Sequence, residues 1–269
     1  MIVDPKKCTG CGLCIADCPT RIIKMENGIP GIKPENDDEC IVCQHCLAIC
    51  PTAAVTVGGK LPANSRALEA VDATALEMAI LARRSVRQFS GEVDEQTLRR
   101  VMDIVNHAPT AVNARDLHFT IVSGMEAMAE LRKRTCEALI KDAARIDASR
   151  QWIVSVARLW LNRGVDGIFR NAPHIVVVSC GKEQVHPKVD SVIALSYFDL
   201  YASSLGIGTT WCGMFDTVLR QLPESRSWLG IPDDHEIGYA MLFGKTGVRY
   251  ARAAQHSPAG VKILKGLQN

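Results

Sequence analysis

The sequence predicts an α+β protein with two domains of unequal size. Eight of its eleven cysteines precede residue 51, so the first part of the chain differs from the rest in composition. The stretch 58–65 that follows is rich in glycine, proline and small polar residues, as linkers are. Beyond it, helical patterns outnumber strand patterns and do not alternate with them regularly, which favours α+β over a doubly wound sheet. We expect a small domain at residues 1–60, a linker at 61–71 and a large domain at 72–269.

The first fifty residues contain one cysteine spacing twice, each time as Cys-x2-Cys-x2-Cys-x3-Cys-Pro. This is the spacing of bacterial ferredoxins, in which three close thiolates hold one 4Fe–4S cluster and the fourth crosses to the other cluster. Gly10 and Gly12 suit the tight winding that points backbone N–H groups at a cluster. The spacing therefore predicts a ferredoxin-like domain with two clusters. One is held by Cys8, Cys11, Cys14 and Cys50, and the other by Cys18, Cys40, Cys43 and Cys46.

Two other uses of these cysteines fit the sequence less well. Structural zinc usually takes two separated cysteine pairs rather than two runs of four. A disulfide framework needs a secreted chain, and the first ligand at Cys8 leaves no room for a leader. We therefore expect a cytoplasmic protein. His45, inside the second run, either tunes that cluster through a hydrogen bond or is simply exposed at its rim.

The overall composition also restricts the partners. Hydrophobic residues make up 47% of the chain, which is ample for a buried core. The formal net charge is only +2, so nothing argues for nucleic acid or an anionic membrane surface. No apolar run approaches the roughly twenty residues of a membrane helix. We expect neither a nucleic-acid nor a membrane partner.

Turn, cap and periodicity signals predict the individual elements. Asn27-Gly28 predicts a hairpin between 21–25 and 29–32, and 52–57 is expected to return as its partnering strand. Asp72 and Asp94 are expected to cap two helices, the second ending near His107. Further helices are expected at 126–145, 151–162 and 189–205, and strands at 117–123, 174–180 and 235–243.

Three segments of the large domain carry groups that suit a phosphorylated heterocycle. Guanidinium forks beside a serine hydroxyl, at 83–87, fit phosphate or the carbonyl edge of a ring. The glycine-rich segment 206–214 is expected to form a turn whose backbone N–H groups approach a planar ring closely. The third segment, 109–113, breaks a helix, and a basic residue of the tail such as Arg252 could complete a phosphate site.

At this spacing the segments resemble the nitroreductase family of FMN enzymes over about residues 72–257. Arg83-Arg84-Ser85-Val86-Arg87-x-Phe89 resembles the family's opening flavin motif, whose first arginine, serine and last basic residue hold the phosphate and pyrimidine of FMN. Ala108-Pro109-Thr110-Ala111-Val112-Asn113 resembles the segment that reaches the flavin of the partner subunit. The segment from Leu205 to Gly213 is similar to the one beneath the isoalloxazine, where a backbone N–H contacts flavin N5.

The resemblance implies a nitroreductase-like α+β sandwich, bound FMN and an obligate homodimer that holds FMN between its subunits and exchanges its tails. The implied N5 donor is the N–H of Gly213 or Met214, and Arg249 and Arg252 stand in the region of the terminal phosphate ligands. The implied cofactor-binding residues are Arg83, Arg84, Ser85, Arg87, Pro109, Thr110, Asn113, Trp211, Cys212, Gly213, Met214, Arg249 and Arg252.

The sequence also departs from the family pattern. After Asn113 the family usually has a glutamine and a Pro-Trp pair, whereas this chain has Ala114-Arg115-Asp116-Leu117. Its terminal strand often continues through Gly-Tyr-Pro, whereas this chain has Gly244-Lys245-Thr246-Gly247. These departures leave the substrate open, including that of a flavin-consuming or dehalogenating relative.

We expect an oxidoreductase in which the clusters relay electrons to FMN, and FMN reduces a small organic acceptor such as a nitroaromatic or a quinone. The electron donor is expected to be reduced ferredoxin or NAD(P)H, and no side chain is assigned as a catalytic acid. The alternative is a non-catalytic electron-transfer protein that serves a partner enzyme.

Several residues have two interpretations. Cys212 is either a reactive thiol or a small residue packing under the ring, and Cys136 and Cys180 are expected in the core. Trp152 and Trp160 either wall the substrate site or pack in the core.

Overall fold

The computed structural model describes residues 1–266 of the 269-residue chain. The small domain consists of short elements wound around its cysteines. In chain order they are strand β1 (Ile2–Val3), helix α1 (Leu13–Ala16), strands β2 (Ile23–Glu26) and β3 (Ile29–Ile32), helix α2 (His45–Ala48) and strand β4 (Val55–Thr56), with a 3-10 turn at Pro34–Glu39.

The hairpin expected around Asn27-Gly28 is confirmed. β2 pairs antiparallel with β3, and Asn27 and Gly28 have φ of 51° and 80°, the positive values that a two-residue hairpin turn needs. The prediction that the strand after Cys50 pairs with this hairpin is wrong. That strand, β4, pairs instead with β1 at the start of the chain. Two residues are too few to show the alternation that would have revealed β1.

The large domain contains most of the regular structure. Its elements are α3 (Ala73–Ala82), α4 (Glu95–Val105), β5 (Leu117–Ser123), α5 (Met125–Lys141), α6 (Trp152–Arg163), β6 (His174–Gly181), α7 (Pro187–Ser204), β7 (Ile207–Trp211), α8 (Gly213–Gln221), α9 (Glu224–Trp228) and β8 (His235–Lys245). The two expected caps are confirmed: Asp72 accepts a hydrogen bond from Thr74 N, and Asp94 accepts one from Thr97 N.

Four antiparallel strands in the order β5-β6-β8-β7 form the middle layer. Alternate residues of the buried strand β6 enter different cores, Ile175 on one face and Val176 on the other. The first face is covered by α5, α6 and α8, and the second by α4 and α7. This is the predicted α+β sandwich.

Four elements of the large domain differ from the sequence-based expectations. Ile207–Trp211 is edge strand β7 and not a glycine-rich turn; a Cβ on Gly208 would lie 2.6 Å from Val86 Cγ1, so its glycine permits close packing rather than a bend. Helix α5 ends at Lys141, and Ala143–Arg145 form a separate 3-10 turn. Helices α8 and α9 were not expected.

None of the helices within residues 1–266 combines the length and the apolar character needed to span a bilayer.

Candidate functional site

Two cavities in the small domain are each surrounded by four cysteines, three from one run and one from the other. The first cavity is lined by Cys8, Cys11, Cys14 and Cys50. The second is lined by Cys18, Cys40, Cys43 and Cys46. The structure thus brings together the two sets that the crossing pattern predicts.

The surroundings of these thiols suit a multi-iron cluster. Apolar side chains complete both cavities, for example Val55 in the first and Ile23 and Val57 in the second, so they shield the sulfurs from water on one side. Within residues 1–266, no three His, Cys, Asp or Glu side chains are arranged to ligate one metal ion. Four thiols that surround one cavity without converging on a single point fit a 4Fe–4S cluster better than a single zinc ion.

The two crossing cysteines have matching environments. Cys18 Sγ lies 3.5 Å from Thr20 Oγ1, and Cys50 Sγ lies 3.7 Å from Thr52 Oγ1. Burial raises the pKa of each thiol, but hydrogen bonds from these hydroxyls and from nearby backbone N–H groups outweigh it and lower the pKa below its usual value. Hydrogen bonding to sulfur favours the thiolate, the form that ligates iron.

The ring of His45 is exposed at the rim of the second cavity, with Nδ1 3.0 Å from Asp17 Oδ2. This position supports the simpler interpretation of that residue.

In the large domain, a cavity opens where β7 ends and α8 begins. Five of the predicted residues line it: Arg87, Trp211, Cys212, Gly213 and Met214. The other lining residues are Gly167, Ile168, Arg170, Thr210 and Leu242.

The first turn of α8 supplies backbone donors to this cavity. Gly213 and Met214 are the first two residues of the helix, and the first intrahelical bond runs from Asp216 N to Cys212 O. N–H groups ahead of that bond have no partner within the helix and carry partial positive charge. With the guanidinium groups of Arg87 and Arg170, they make a wall that suits an electron-rich or anionic ligand.

The segment Arg83–Arg87 is fixed beside the cavity by its pairing with β7. Val86 N donates to Thr209 O at 2.8 Å, and Thr210 Oγ1 donates to Val86 O. This pairing sets the position of Arg87, whose Nη1 also donates to Ser85 O at 3.3 Å.

A buried carboxylate, Asp199 on α7, connects Arg83 to the cavity wall. Asp199 Oδ2 accepts from Arg83 Nη1 at 3.3 Å and from Trp211 Nε1 at 3.0 Å, and its Oδ1 accepts from Thr209 Oγ1. The residue is only 4% exposed, so its charge is balanced chiefly by the arginine. Sequence reasoning missed Asp199, although an acid in the middle of an apolar helix was a usable signal.

The loop that carries Gly167, Ile168 and Arg170 to the cavity is also held by a buried carboxylate. Asp166 accepts from Arg132 Nε at 2.6 Å, and its oxygens accept from Phe169 N and Asn171 N at 2.8 and 2.9 Å. No periodicity marks this loop in the sequence, so its part in the site could not be predicted.

Cys212 has the environment of a packing residue. It is 3% exposed, and burial raises the pKa of its thiol to about 12. The neutral thiol donates to Ile168 O at 3.5 Å. A thiol that stays protonated is a poor nucleophile, which supports the second interpretation of Cys212.

The remaining predicted residues lie outside this cavity in the single chain. Pro109, Thr110 and Asn113 precede β5, at the opposite edge of the sheet from β7. Asn113 Nδ2 donates instead to Ile41 O of the small domain, at 2.9 Å. Arg249 and Arg252 are exposed in the tail after β8.

Two of the residues after Asn113 that depart from the family pattern, Arg115 and Asp116, fix the segment before β5 through hydrogen bonds. Arg115 Nη1 donates to Ala108 O at 3.3 Å, and Arg115 N donates to Thr110 Oγ1 at 3.0 Å. Asp116 Oδ2 accepts from Gly181 N at 3.1 Å. Both side chains therefore have structural partners next to β5.

Neither tryptophan of α6 lines the cavity described above. Trp152 is exposed, whereas Trp160 packs against the core formed with α5 and α8.

Comparison with protein families gives two matches that together cover most of the chain. The nitroreductase family matches residues 80–245, and the 4Fe-4S dicluster domain matches residues 1–63. Both matches confirm the resemblances inferred from the cysteine runs and from the flavin motifs.

Individual relatives agree with these matches. Nitroreductase NfnB of Mycolicibacterium smegmatis is 41% identical over 69 residues, which are 25% of this chain and 27% of that protein. The match thus spans about a quarter of the relative's length.

Among solved structures, a nitroreductase with bound FMN from Bacteroides fragilis superposes with a TM-score of 0.58 at 24% identity, covering 71% of this chain and 98% of that one. One from Desulfitobacterium hafniense, also with bound FMN, gives 0.54 at 24% identity over 70% and 98%. At this identity the superpositions confirm the fold of the large domain.

Proposed function

The chain belongs to the nitroreductase family, and from that premise we propose that it is an iron–sulfur flavoprotein oxidoreductase. Two 4Fe–4S clusters relay electrons to FMN, which reduces a small organic acceptor such as a nitroaromatic or a quinone. One observation supports this most strongly: two cavities lined by four cysteines each occur in the same chain as a cavity lined by Arg87 and by the N–H end of α8.

The cavity at the start of α8 and the neighbouring segment 83–87 suit FMN. When bound, FMN accepts electrons singly and delivers them in pairs. Together, Arg83, Ser85 and Arg87 hold its phosphate and pyrimidine, the arginines through charge-assisted hydrogen bonds. The N–H of Gly213 or Met214 donates to N5, since these residues open α8 at the cavity wall. Arg84, Trp211 and Cys212 complete this side of the site.

A homodimer would supply the predicted ligands that one chain keeps away from the cavity. Helix α3 has no buried residue, and its Leu76, Met78, Ile80 and Leu81 are between 41% and 58% exposed. A helix with an apolar surface that faces water is typical of a subunit interface. In the proposed dimer, Pro109, Thr110 and Asn113 approach the partner's FMN, and the tail with Arg249 and Arg252 reaches its phosphate.

The electron donor is reduced ferredoxin or NAD(P)H, and the thiols required by the clusters fit a cytoplasmic location. We assign no side chain as a proton donor.

Steady-state turnover tests this proposal against the alternative of a non-catalytic carrier. The purified protein, supplied with reduced ferredoxin or NAD(P)H and no other enzyme, is expected to reduce a nitroaromatic or a quinone many times per FMN. A carrier would reduce none of these acceptors and would act only when a partner enzyme is added.

The double variant Arg83→Ala/Arg87→Ala tests the placement of FMN. Loss of both guanidinium groups is expected to release FMN while iron and sulfide contents stay as in the wild type, because neither residue lines a cysteine cavity. Flavin absorbance after gel filtration measures the loss, and FMN retained in full would contradict the placement.

A further inference from the structure

The two cysteine loops both adopt positive φ at two corresponding positions, but different residue types occupy these positions. In the first loop the left-handed conformations belong to Gly10 and Gly12, with φ of 67° and 76°. In the second loop they belong to Val42 and Gln44, with φ of 50° and 64°. A β-branched residue pays a steric cost in this region that glycine does not, so Val42 keeps this conformation only if its surroundings enforce it.

Two contacts enforce it. The Val42 side chain closes over Gly58, where an added Cβ would lie 2.2 Å from Val42 Cγ1. The preceding carbonyl, that of Ile41, accepts the hydrogen bond from Asn113 Nδ2 at 2.9 Å. The second loop is therefore held partly by its own domain and partly by the nitroreductase domain.

The segment that carries Asn113 is itself anchored. Ala111 N donates to both carboxylate oxygens of Asp190, at 3.1 and 3.0 Å. Asp190 lies in the first turn of α7 and is only 4% exposed. Asn113 thus presents its amide from a fixed support, as a docking residue must.

The first cysteine loop is placed differently. Cys11 is exposed, whereas Cys40 and Cys43, on either side of the hydrogen-bonded residue Ile41, are only partly exposed. At Cys11 the first loop is therefore more open to an external donor than the second loop is at its cysteines.

We propose that electrons leave the iron–sulfur domain for FMN through the Cys40–Cys43 loop, which we call the port. Asn113 is the positioning residue that holds this loop against the nitroreductase domain. The cluster held by Cys18, Cys40, Cys43 and Cys46 then donates to the partner subunit's FMN, and the cluster beside Cys11 receives electrons from outside. This inference rests on the proposed function, including the approach of the Asn113 segment to the partner's FMN.

The electron balance is simple. An external one-electron donor, such as reduced ferredoxin, is oxidised as it reduces the first cluster, and the electron moves on to the second. Each passage through the port oxidises the second cluster by one electron and reduces FMN by one. Two passages, with protons taken from water, complete the two-electron reduction of FMN.

The test uses the cofactor-loaded Asn113→Ala protein, with Asn162→Ala, an exposed position on α6, as the matched control. Loss of one hydrogen bond is expected to speed amide hydrogen exchange across residues 39–46 about tenfold, and to leave residues 7–14 unchanged. Reduction of bound FMN by reduced ferredoxin, measured per FMN, is expected to slow by about tenfold or more. Asn162→Ala should change neither.

A third measurement identifies the cluster. Because peptide dipoles near the sulfurs tune a cluster, Asn113→Ala is expected to shift the midpoint potential of one of the two cluster signals in electron paramagnetic resonance. That signal should be the one altered by Cys18→Ser.

Three results for Asn113→Ala would overturn this proposal. The first is unchanged amide hydrogen exchange across residues 39–46, with or without loss of FMN, and the second is faster exchange with FMN reduction at the wild-type rate. The third is a shifted midpoint potential for the cluster signal that Cys18→Ser leaves unchanged. Failure of the proposed function looks different, since the wild-type protein would then hold its clusters and FMN without any electron passing between them.

Discussion

At the scale of single residues, the most consequential side chain is Asp199, which is not itself among the predicted FMN-binding residues but contacts two of them. Asp199 receives hydrogen bonds from Arg83, Thr209 and Trp211, and so orients an arginine of the flavin motif and an aromatic ring of the cavity wall together. Because the Arg83 side chain remains about a third exposed, the Arg83–Asp199 ion pair orients the guanidinium more than it stabilises the folded domain.

Asp199→Asn is expected to weaken FMN binding about tenfold, since the neutral amide no longer holds the Arg83 guanidinium in place. Fluorescence titration of the apoprotein with FMN measures the affinity. Asp103→Asn, an exposed position on α4, serves as the control and should bind FMN like the wild type. Equal affinities for both variants would show that Arg83 needs no such support.

The site was predictable from sequence where a motif places residues along one segment. Arg87 and Gly213 meet at one cavity because a strand pairing and a helix start bring them there. Asp199 and Arg170 come from other segments, and only the folded chain shows that they join the same site. Partners that meet through tertiary packing leave no local pattern to read.

At the scale of elements, β6 is the strand on which the sheet is assembled, and His174 begins it. The ring is buried, stacks on Phe243 with centroids 4.8 Å apart, and accepts at Nε2 from Val93 N at 2.8 Å. Burial lowers the pKa of His174, although the nearby charge of Glu92 raises it slightly. A proton on Nε2 would also face the Val93 N–H, so the fold favours the neutral ring.

The stability of the large domain should therefore fall as the pH drops. The unfolded chain takes up a proton on this histidine near pH 6.5, whereas the folded chain does so only at lower pH. Below about pH 6.5 the free energy of unfolding is expected to fall by up to about 1.4 kcal/mol per pH unit. Denaturant unfolding followed by tryptophan fluorescence reports on this domain, because all four tryptophans lie within it.

The matched variants are His174→Asn and His107→Asn, the latter at an exposed position after α4. His174→Asn should be less stable at pH 8 but lose stability less steeply between pH 7 and pH 5.5. Equal slopes in both variants and in the wild type would assign the pH dependence to other groups.

Elements were predictable where local chemistry decides them. The Asp94 cap, the Asn27-Gly28 turn and the apolar run of β6 each carry a signal within a few residues. Strand β1 is too short to show a period, and β7 contains the glycine that suggested a turn. Pairing with β4 and β8 makes these two segments strands, and pairing is not a local property.

At the scale of the whole molecule, two features connect distant parts of the chain: a crossed pair of cysteines and a hydrogen bond between the two domains. Cys18 lies four residues after Cys14 in the sequence, yet it lines the cavity of the second run, and Cys50 lines that of the first. The crossing ties the two halves of the small domain into one unit, which its small apolar core alone would hold weakly.

Cys18→Ser is expected to damage the cluster held by Cys40, Cys43 and Cys46 and to spare the one held by Cys14. Iron content should fall toward half, and one of the two cluster signals should change in electron paramagnetic resonance. Cys180→Ser, in a thiol on β6 outside both cavities, is the control. A change confined to the signal that Cys11→Ser also alters would mean that the ligands are not crossed.

If one chain joins an iron–sulfur domain to a flavin site, the anaerobically purified protein should carry both kinds of cofactor, and metal, sulfide and flavin analysis measures them together. We expect about eight iron atoms, about eight acid-labile sulfides and about one FMN per chain. Colourless protein, or zinc in place of iron and sulfide, would rule out this composition.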